Sequence, residues 1–189
     1  MTLVGVLALQ GGFAAHARML HTLGADVREI RVPDDLDGLD GLIIPGGEST
    51  TMTLGIEREG LAGPLRAFAR PVFGTCAGLI MLDRDHLAMM DIEARRNAFG
   101  RQVRSFEADL DIAALGGPPL RAVFIRAPWI ASHGDGVQIL ASLEGHPVAA
   151  RQDNLLAVAF HPELGRDTRL HEQFVAACRL SRAQSAGGA

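Results

Sequence analysis

Three short runs, at residues 3–9, 41–44 and 71–73, are apolar without a break, and each runs into glycine: Gln10-Gly11-Gly12, Pro45-Gly46-Gly47 and Gly74. A strand with one wet face alternates apolar and polar residues, so an unbroken run belongs to a strand covered on both faces. Between the runs, 14–23 and 61–69 carry apolar positions at helical spacing, and 27–32 reads as a further strand. Strand alternating with helix predicts an α/β chain with a mostly parallel sheet and helices on both faces. After about Asp91 the rhythm shortens to strand-like stretches at 103–106, 122–125, 137–140, 148–150 and 155–160, which predict antiparallel additions to that sheet.

The chain of 189 residues is long enough for one domain with its own core, and no repeat or linker divides it. The expected domain covers residues 1–180. Its last helix, 169–180, carries Leu170, Phe174, Val175 and Cys178 on one stripe, which makes Cys178 a core residue, and 181–189 (SRAQSAGGA) reads as a frayed tail. Eighteen basic against 22 acidic residues leave a formal charge of −4, which excludes a phosphate-backbone binder. Two cysteines are too few for a disulfide scaffold, so a reducing, cytoplasmic setting is expected. The apolar run at the N-terminus is too short to span a membrane.

Gly74-Thr75-Cys76-Ala77-Gly78 sets a cysteine between a strand and a helix in the form G-x-C-x-G, the cysteine counterpart of a serine nucleophile elbow. A nucleophile on so sharp a turn takes strained backbone angles. The chain passes itself only if the residues two before and two after are nearly without side chains. Such a turn exposes the sulfur, and a helix beginning at Ala77 favours the thiolate. Taken alone, the pentapeptide reads equally as a glycine-rich turn around a buried cysteine.

A catalytic cysteine needs a base. Of the seven histidines, His161 has the best context, in Phe160-His161-Pro162-Glu163 at the end of the 155–160 strand. In extended chain, i and i+2 point the same way, so Glu163 can orient the imidazole while its other nitrogen takes the thiol proton. His16, His21, His86, His133, His146 and His171 read as surface or packing residues. A third piece, Pro45-Gly46-Gly47-Glu48-Ser49-Thr50, offers adjacent glycines whose N–H groups can approach a ligand as an oxyanion hole requires; its plain reading is a tight turn. All three pieces fall at the carboxyl ends of predicted strands, where open α/β sheets bind ligands. No C-x-x-C, H-x-x-x-H or carboxylate cluster offers a metal three or four ligands, and Gln10-Gly11-Gly12 lacks the G-x-G-x-x-G spacing of a dinucleotide site. Neither metal nor cofactor is expected.

The elbow, the glycine pair and the late H-P-E together resemble the class I glutamine amidotransferases. Within that class, LALQGGFAAH (7–16), GLIIPGGESTTM (41–52), FGTCAGLIML (73–82), RRNAFGRQVRSFEADL (95–110), VFIRAPWI (123–130) and AFHPEL (159–164) look like the glutaminase subunits of the pyridoxal 5′-phosphate synthase complex. The likeness runs from Leu3 to about Val175. The elbow and H-P-E are shared across the class, whereas R-N-A-F-G-R-Q and F-I-R-A-P are particular to this subfamily.

The resemblance implies a three-layer, flavodoxin-like sandwich and the hydrolysis of L-glutamine to L-glutamate and ammonia through a γ-glutamyl thioester. By matching, Cys76 is the nucleophile, His161 the base and Glu163 its orienting partner. Gly47 and Ala77 supply the oxyanion-hole N–H groups, and Gly46, Gly47, Glu48, Ser49, Arg96, Ile125 and Arg126 contact glutamine. An arginine beside a free amino acid can pair with its α-carboxylate, and buried donors select glutamine over analogues without the amide. A partner is implied as well: a synthase subunit in a large hetero-oligomer, which takes the ammonia to build the pyridoxal phosphate ring.

Two departures stand out. Only Asp83, Arg84 and Asp85 separate Leu82 from His86, where relatives usually carry a longer stretch, and this bears on the placement of Arg96. Gly12 stands where many relatives have a bulkier or charged residue. The competing readings are a glutaminase serving another synthase, such as those making imidazole glycerol phosphate or anthranilate, a stand-alone cysteine hydrolase, and a non-catalytic scaffold. R-N-A-F-G-R-Q argues against the first, the glutamine-site motifs against the second, and the joint presence of Cys76, His161 and Glu163 against the third.

Overall fold

The computed structural model describes residues 1–96, 98 and 105–186, the side chains of 185 and 186 excepted. Of the R-N-A-F-G-R-Q motif, Arg96 and Ala98 fall among the described residues; the rest of it, and the start of the strand expected at 103–106, lie outside them. In chain order the elements are β1 (Leu3–Leu7), α1 (Phe13–Thr22), β2 (Asp26–Ile30), β3 (Gly41–Ile44), α2 (Ser49–Arg58), α3 (Ala62–Arg66), β4 (Val72–Thr75) and α4 (Ala77–Leu82). Then follow β5 (Ile92–Arg95), β6 (Ser105–Leu110), β7 (Leu120–Ile125), β8 (Trp129–His133), β9 (Gln138–Leu143), β10 (His146–Gln152), β11 (Leu155–Val158) and α5 (Arg169–Ala186).

Seven strands form one sheet in the order β2-β1-β3-β4-β11-β10-β9. The first five are parallel, and β10 and β9 are added antiparallel. The unbroken apolar runs account for the arrangement: β3, β4 and β11 are buried along their whole length in the middle of the sheet, while the edge strand β2 keeps exposed positions. Right-handed crossovers lead from β1 to β2 in one direction and from β3 to β4 in the other, which puts α1 and α2 on opposite faces. α5 packs beside α1, and α4 beside α2.

Several boundaries differ from the sequence reading. β1 stops at Leu7, and 8–12 form the turn into α1. α2 was not foreseen, because Ser49-Thr50-Thr51 begins it with residues of modest helix propensity. β5 with β8, and β6 with β7, make two separate antiparallel ribbons outside the main sheet. The tail expected from 181 continues α5 as helix to Ala186, where Arg70 Nη1 donates to the Ser181 carbonyl at 3.1 Å and ties the helix end to the body. The short link after α4 is a continuous turn. Ala88 N–H donates to Asp83 O and Met90 N–H to Leu82 O, both at 2.8 Å, and the buried Asp83 carboxylate accepts from the Asp85 and His86 N–H groups.

Candidate active site

β3, β4 and β11 are neighbours in parallel register, with Ile44 opposite Gly74 and Val158 opposite Thr75. Whatever follows each of them therefore emerges at one end of the sheet. Cys76 follows β4 with φ 50° and ψ −105°, a conformation that costs a non-glycine residue energy and that the surroundings must hold. Part of that hold is its N–H, which donates to Val158 O at 2.8 Å. A Cβ on Gly74 would lie 2.7 Å from the Gly78 carbonyl oxygen, and one on Gly78 would overlap the Ile44 carbonyl oxygen. Both glycines of the pentapeptide are thus required by close backbone approach.

His161 follows β11, its N–H donating to Val123 O at 2.8 Å on the adjoining ribbon. Its Nδ1 lies 2.8 Å from Glu163 Oε1, which leaves Nε2 for Cys76. Burial works against the imidazolium, but the hydrogen bonds to Cys76 and Glu163 and their charges outweigh it and raise His161 to about 10. Burial would likewise raise Glu163; the hydrogen bond from His161 and the facing His16 and His161 prevail and hold it below the usual carboxylate range.

The glycine turn after β3 is clamped from three sides. Gly46 O accepts from Gly12 N–H at 3.0 Å, Gly46 N–H donates to Thr75 Oγ1 at 3.1 Å, and Gln10 Nε2 donates to Glu48 O at 2.9 Å. Across the trans peptide, the Gly47 N–H points away from Gly12. The Glu48 carboxylate caps α2: it accepts from Thr51 Oγ1 and N–H and from Thr50 N–H, which lower it to about 2.

These pieces surround a cavity of about 210 Å³. Gly47, Glu48, Ser49, Cys76, Ala77, Arg96, Ile125, Arg126 and His161 line it, all of them named from the sequence. Gly46 and Glu163 stand behind the wall; Gly46 backs onto His161, and Glu163 reaches the site only through that imidazole. Ile80 and Pro128 complete the lining and were not foreseen. The two arginines differ. Arg96 is tied to Thr50 Oγ1 and to His86 Nε2, each at 3.2 Å, and His86 is held in turn by Asp83 at 2.7 Å. Arg126, with φ 44°, has no hydrogen-bond or ion-pair partner among the described residues. Sequence reasoning also passed over Gln10, Thr75 and His16. His16 is fully buried, with Nε2 3.3 Å from Glu163 Oε2 and 3.1 Å from Thr75 Oγ1.

A family model, that of the SNO glutamine amidotransferases, matches residues 6–180. The chain belongs to that family. Its relatives include a protein named pyridoxal 5′-phosphate synthase subunit PdxT from Clavibacter michiganensis subsp. michiganensis, 52% identical over 186 residues that cover 92% of this chain and 89% of the relative. A protein of the same name from Dehalococcoides mccartyi (strain ATCC BAA-2100) is 49% identical over 193 residues, covering 95% of this chain and 99% of its own length. That alignment has more positions than this chain has residues, so the relative carries residues with no counterpart here. A crystal structure of a glutamine amidotransferase superposes with a TM-score of 0.86 at 42% identity, covering 93% of this chain and 98% of that one. A putative GMP synthase component from Thermoplasma acidophilum shares the fold, with a TM-score of 0.75 at 20% identity over 98% of both chains. Family membership makes the chain a glutamine amidotransferase, on the α/β architecture expected of it.

Proposed function

We propose that the chain is the glutaminase subunit of a pyridoxal 5′-phosphate synthase, with Cys76, His161 and Glu163 as its catalytic residues. The observation that carries the reading is the convergence of the Cys76 elbow and the His161–Glu163 pair on one small cavity, in a chain about half identical to proteins bearing that subunit's name. Glutamine enters with its α-carboxylate toward Arg126 and Arg96 and its side-chain amide over Cys76. The sulfur, its proton already held on Nε2 of the raised His161, attacks the amide carbon, and the N–H groups of Gly47 and Ala77 accommodate the oxyanion. His161 returns the proton to the departing nitrogen, so the C–N bond breaks and ammonia leaves. Water then attacks the thioester carbon, giving its proton to His161, and glutamate departs as the thiol is restored.

On this reading the ammonia passes to a separate synthase subunit, with which the chain forms a larger hetero-oligomer. Both cysteines are free thiols, which accords with a cytoplasmic setting. Ammonia release from L-glutamine, measured with and without a pyridoxal 5′-phosphate synthase subunit, tests the proposal. Release that rises with the synthase and vanishes in Cys76→Ala is the expected result. Folded chain that stays inactive with that partner would move the assignment to a different ammonia-using synthase.

A further inference from the structure

Glu163 spends one carboxylate oxygen on His161. The other, Oε2, is buried and lacks a partner in full hydrogen-bond geometry; facing it at 3.3 Å is Nε2 of His16, on α1. The same nitrogen lies 3.1 Å from Thr75 Oγ1, which also accepts the N–H of Gly46. On the far side of the ring, His16 Nδ1 lies 2.9 Å from Nε2 of His171 on α5. His171 Nδ1, at the end of this chain of contacts, is buried with no partner among the described residues.

These contacts settle where the protons sit. A carboxylate only accepts, so the nitrogen that His16 turns toward Glu163 carries the hydrogen. His16 Nδ1 then accepts from His171 Nε2–H, and the unpartnered His171 Nδ1 is a bare lone pair. The reverse order would press a lone pair against the carboxylate and strand a buried N–H on His171, which costs more. Burial outweighs the pull of Glu163 and lowers His16 to about 4, with the charge of His161 adding to it, and lowers His171 to about 3, with His16 adding to it, so both are neutral at working pH. An apolar ring at position 16 would fill the space more cheaply than two buried imidazoles beside a carboxylate.

We propose that His16 is a positioning residue for glutamine hydrolysis: its Nε2–H is shared between the second oxygen of Glu163 and the Thr75 hydroxyl, coupling the carboxylate that holds His161 to the turn that carries Gly47. The role rests on the glutaminase reading above. His16 touches no part of the cavity, so it acts on turnover and not on glutamine binding. The titratable groups facing one another here are Cys76, His161, Glu163, His16 and His171. Without the His16 donor Glu163 protonates more readily, so activity on the acid side is lost at a higher pH.

The test compares His16→Leu with His16→Gln, whose amide N–H reaches the same region. Two readouts are taken over a range of pH: kcat and KM for glutamine with the synthase subunit, and alkylation of Cys76 by iodoacetamide in the chain alone. His16→Leu should lower kcat about tenfold to a hundredfold, the range seen when the outer partner of a metal-bound histidine is removed. KM should stay unchanged, the acid limbs of both profiles should move to higher pH, and His16→Gln should restore much of each. Folded His16→Leu with wild-type kcat and acid limbs, or with its loss confined to KM, would overturn the proposal. If His16→Leu does not fold, Thr75→Val removes the hydroxyl alone and should lower kcat without moving the acid limb; unchanged kcat there refutes the coupling. Wild-type chain that releases no ammonia refutes the glutaminase reading instead, and the alkylation profile still decides the part played by His16.

Discussion

A Cβ added to Gly46 would overlap Cε1 of His161 and lie 2.9 Å from its Nδ1, so the turn after β3 and the imidazole share one space. The smallest side chain at 46 must therefore displace either the turn or the imidazole.

Gly46→Ala should lower glutamine turnover by at least a hundredfold while leaving the far-ultraviolet circular dichroism unchanged, because misplacing a catalytic group by about 1 Å costs that much. Turnover within threefold of wild type would show that the turn and His161 move apart freely.

Glycines elsewhere separate packing from propensity. A Cβ on Gly78 meets the Ile44 carbonyl, which is backbone and cannot swing aside, whereas one on Gly63 in α3 meets nothing within 4 Å. Gly78→Ala should cost more than about 2 kcal/mol in urea unfolding, as overpacked cores do, whereas Gly63→Ala, where the helical gain of alanine is offset by the ring of Pro64, should change stability by less than about 1 kcal/mol. Equal effects at the two sites would contradict the close approach beneath the elbow.

Stability should fall in mild acid. His16 and His171, held near 4 and 3, remain neutral in the fold down to those values, while the unfolded chain protonates both below about 6.5. Between pH 6.5 and 4.5 the unfolded state thus binds more protons, and unfolding is favoured by about 2–5 kcal/mol in all. Glu163, lowered in the fold, adds to this only below its unfolded value near 4.5. His161, raised in the fold, gives stability that is fully present below its unfolded value and lost as pH climbs toward 10, so it adds no slope in this window. Urea midpoints measured from pH 7 to 4.5 check the sum; a flat series would mean that the two buried imidazoles are charged.

Arg126 has no partner to lose among the described residues. Arg126→Met should raise KM for glutamine about tenfold to a hundredfold, the worth of a charge-assisted hydrogen bond to the α-carboxylate, and leave stability within about 0.5 kcal/mol. Arg96→Met would also release Thr50 and His86, so its effects should fall on stability as well as on KM. An unchanged KM in Arg126→Met would remove that residue from the binding site.

What was legible in the sequence was local. Gly74, Cys76 and Gly78 disclose an elbow because the turn and its glycines lie within five residues, and His161 with Glu163 needs only the two-residue period of extended chain. α2 was hidden, since Thr50, Thr51 and Thr53 suit a strand as well as a helix, and the side-chain cap that decides the matter comes from Glu48. The behaviour of the 83–91 link was hidden too, because Asp83 reaches Arg96 only through His86. His16 did leave a trace: it shares the buried face of α1 with Leu20, an odd place for an imidazole. Nothing nearby in sequence could say that the groups it meets are Thr75, Glu163 and His171, the last 155 residues away.

That separation has a consequence for the protein as it is made. Cys76 leaves the ribosome early, among elements already able to form β1, β3 and β4. His161 and Glu163 follow β11, the last strand to enter the sheet, and His171 lies on α5. A nascent or truncated chain that stops short of residue 161 therefore holds the Cys76 thiol without the imidazole and carboxylate that the proposed mechanism requires, and on that mechanism it sets no ammonia free.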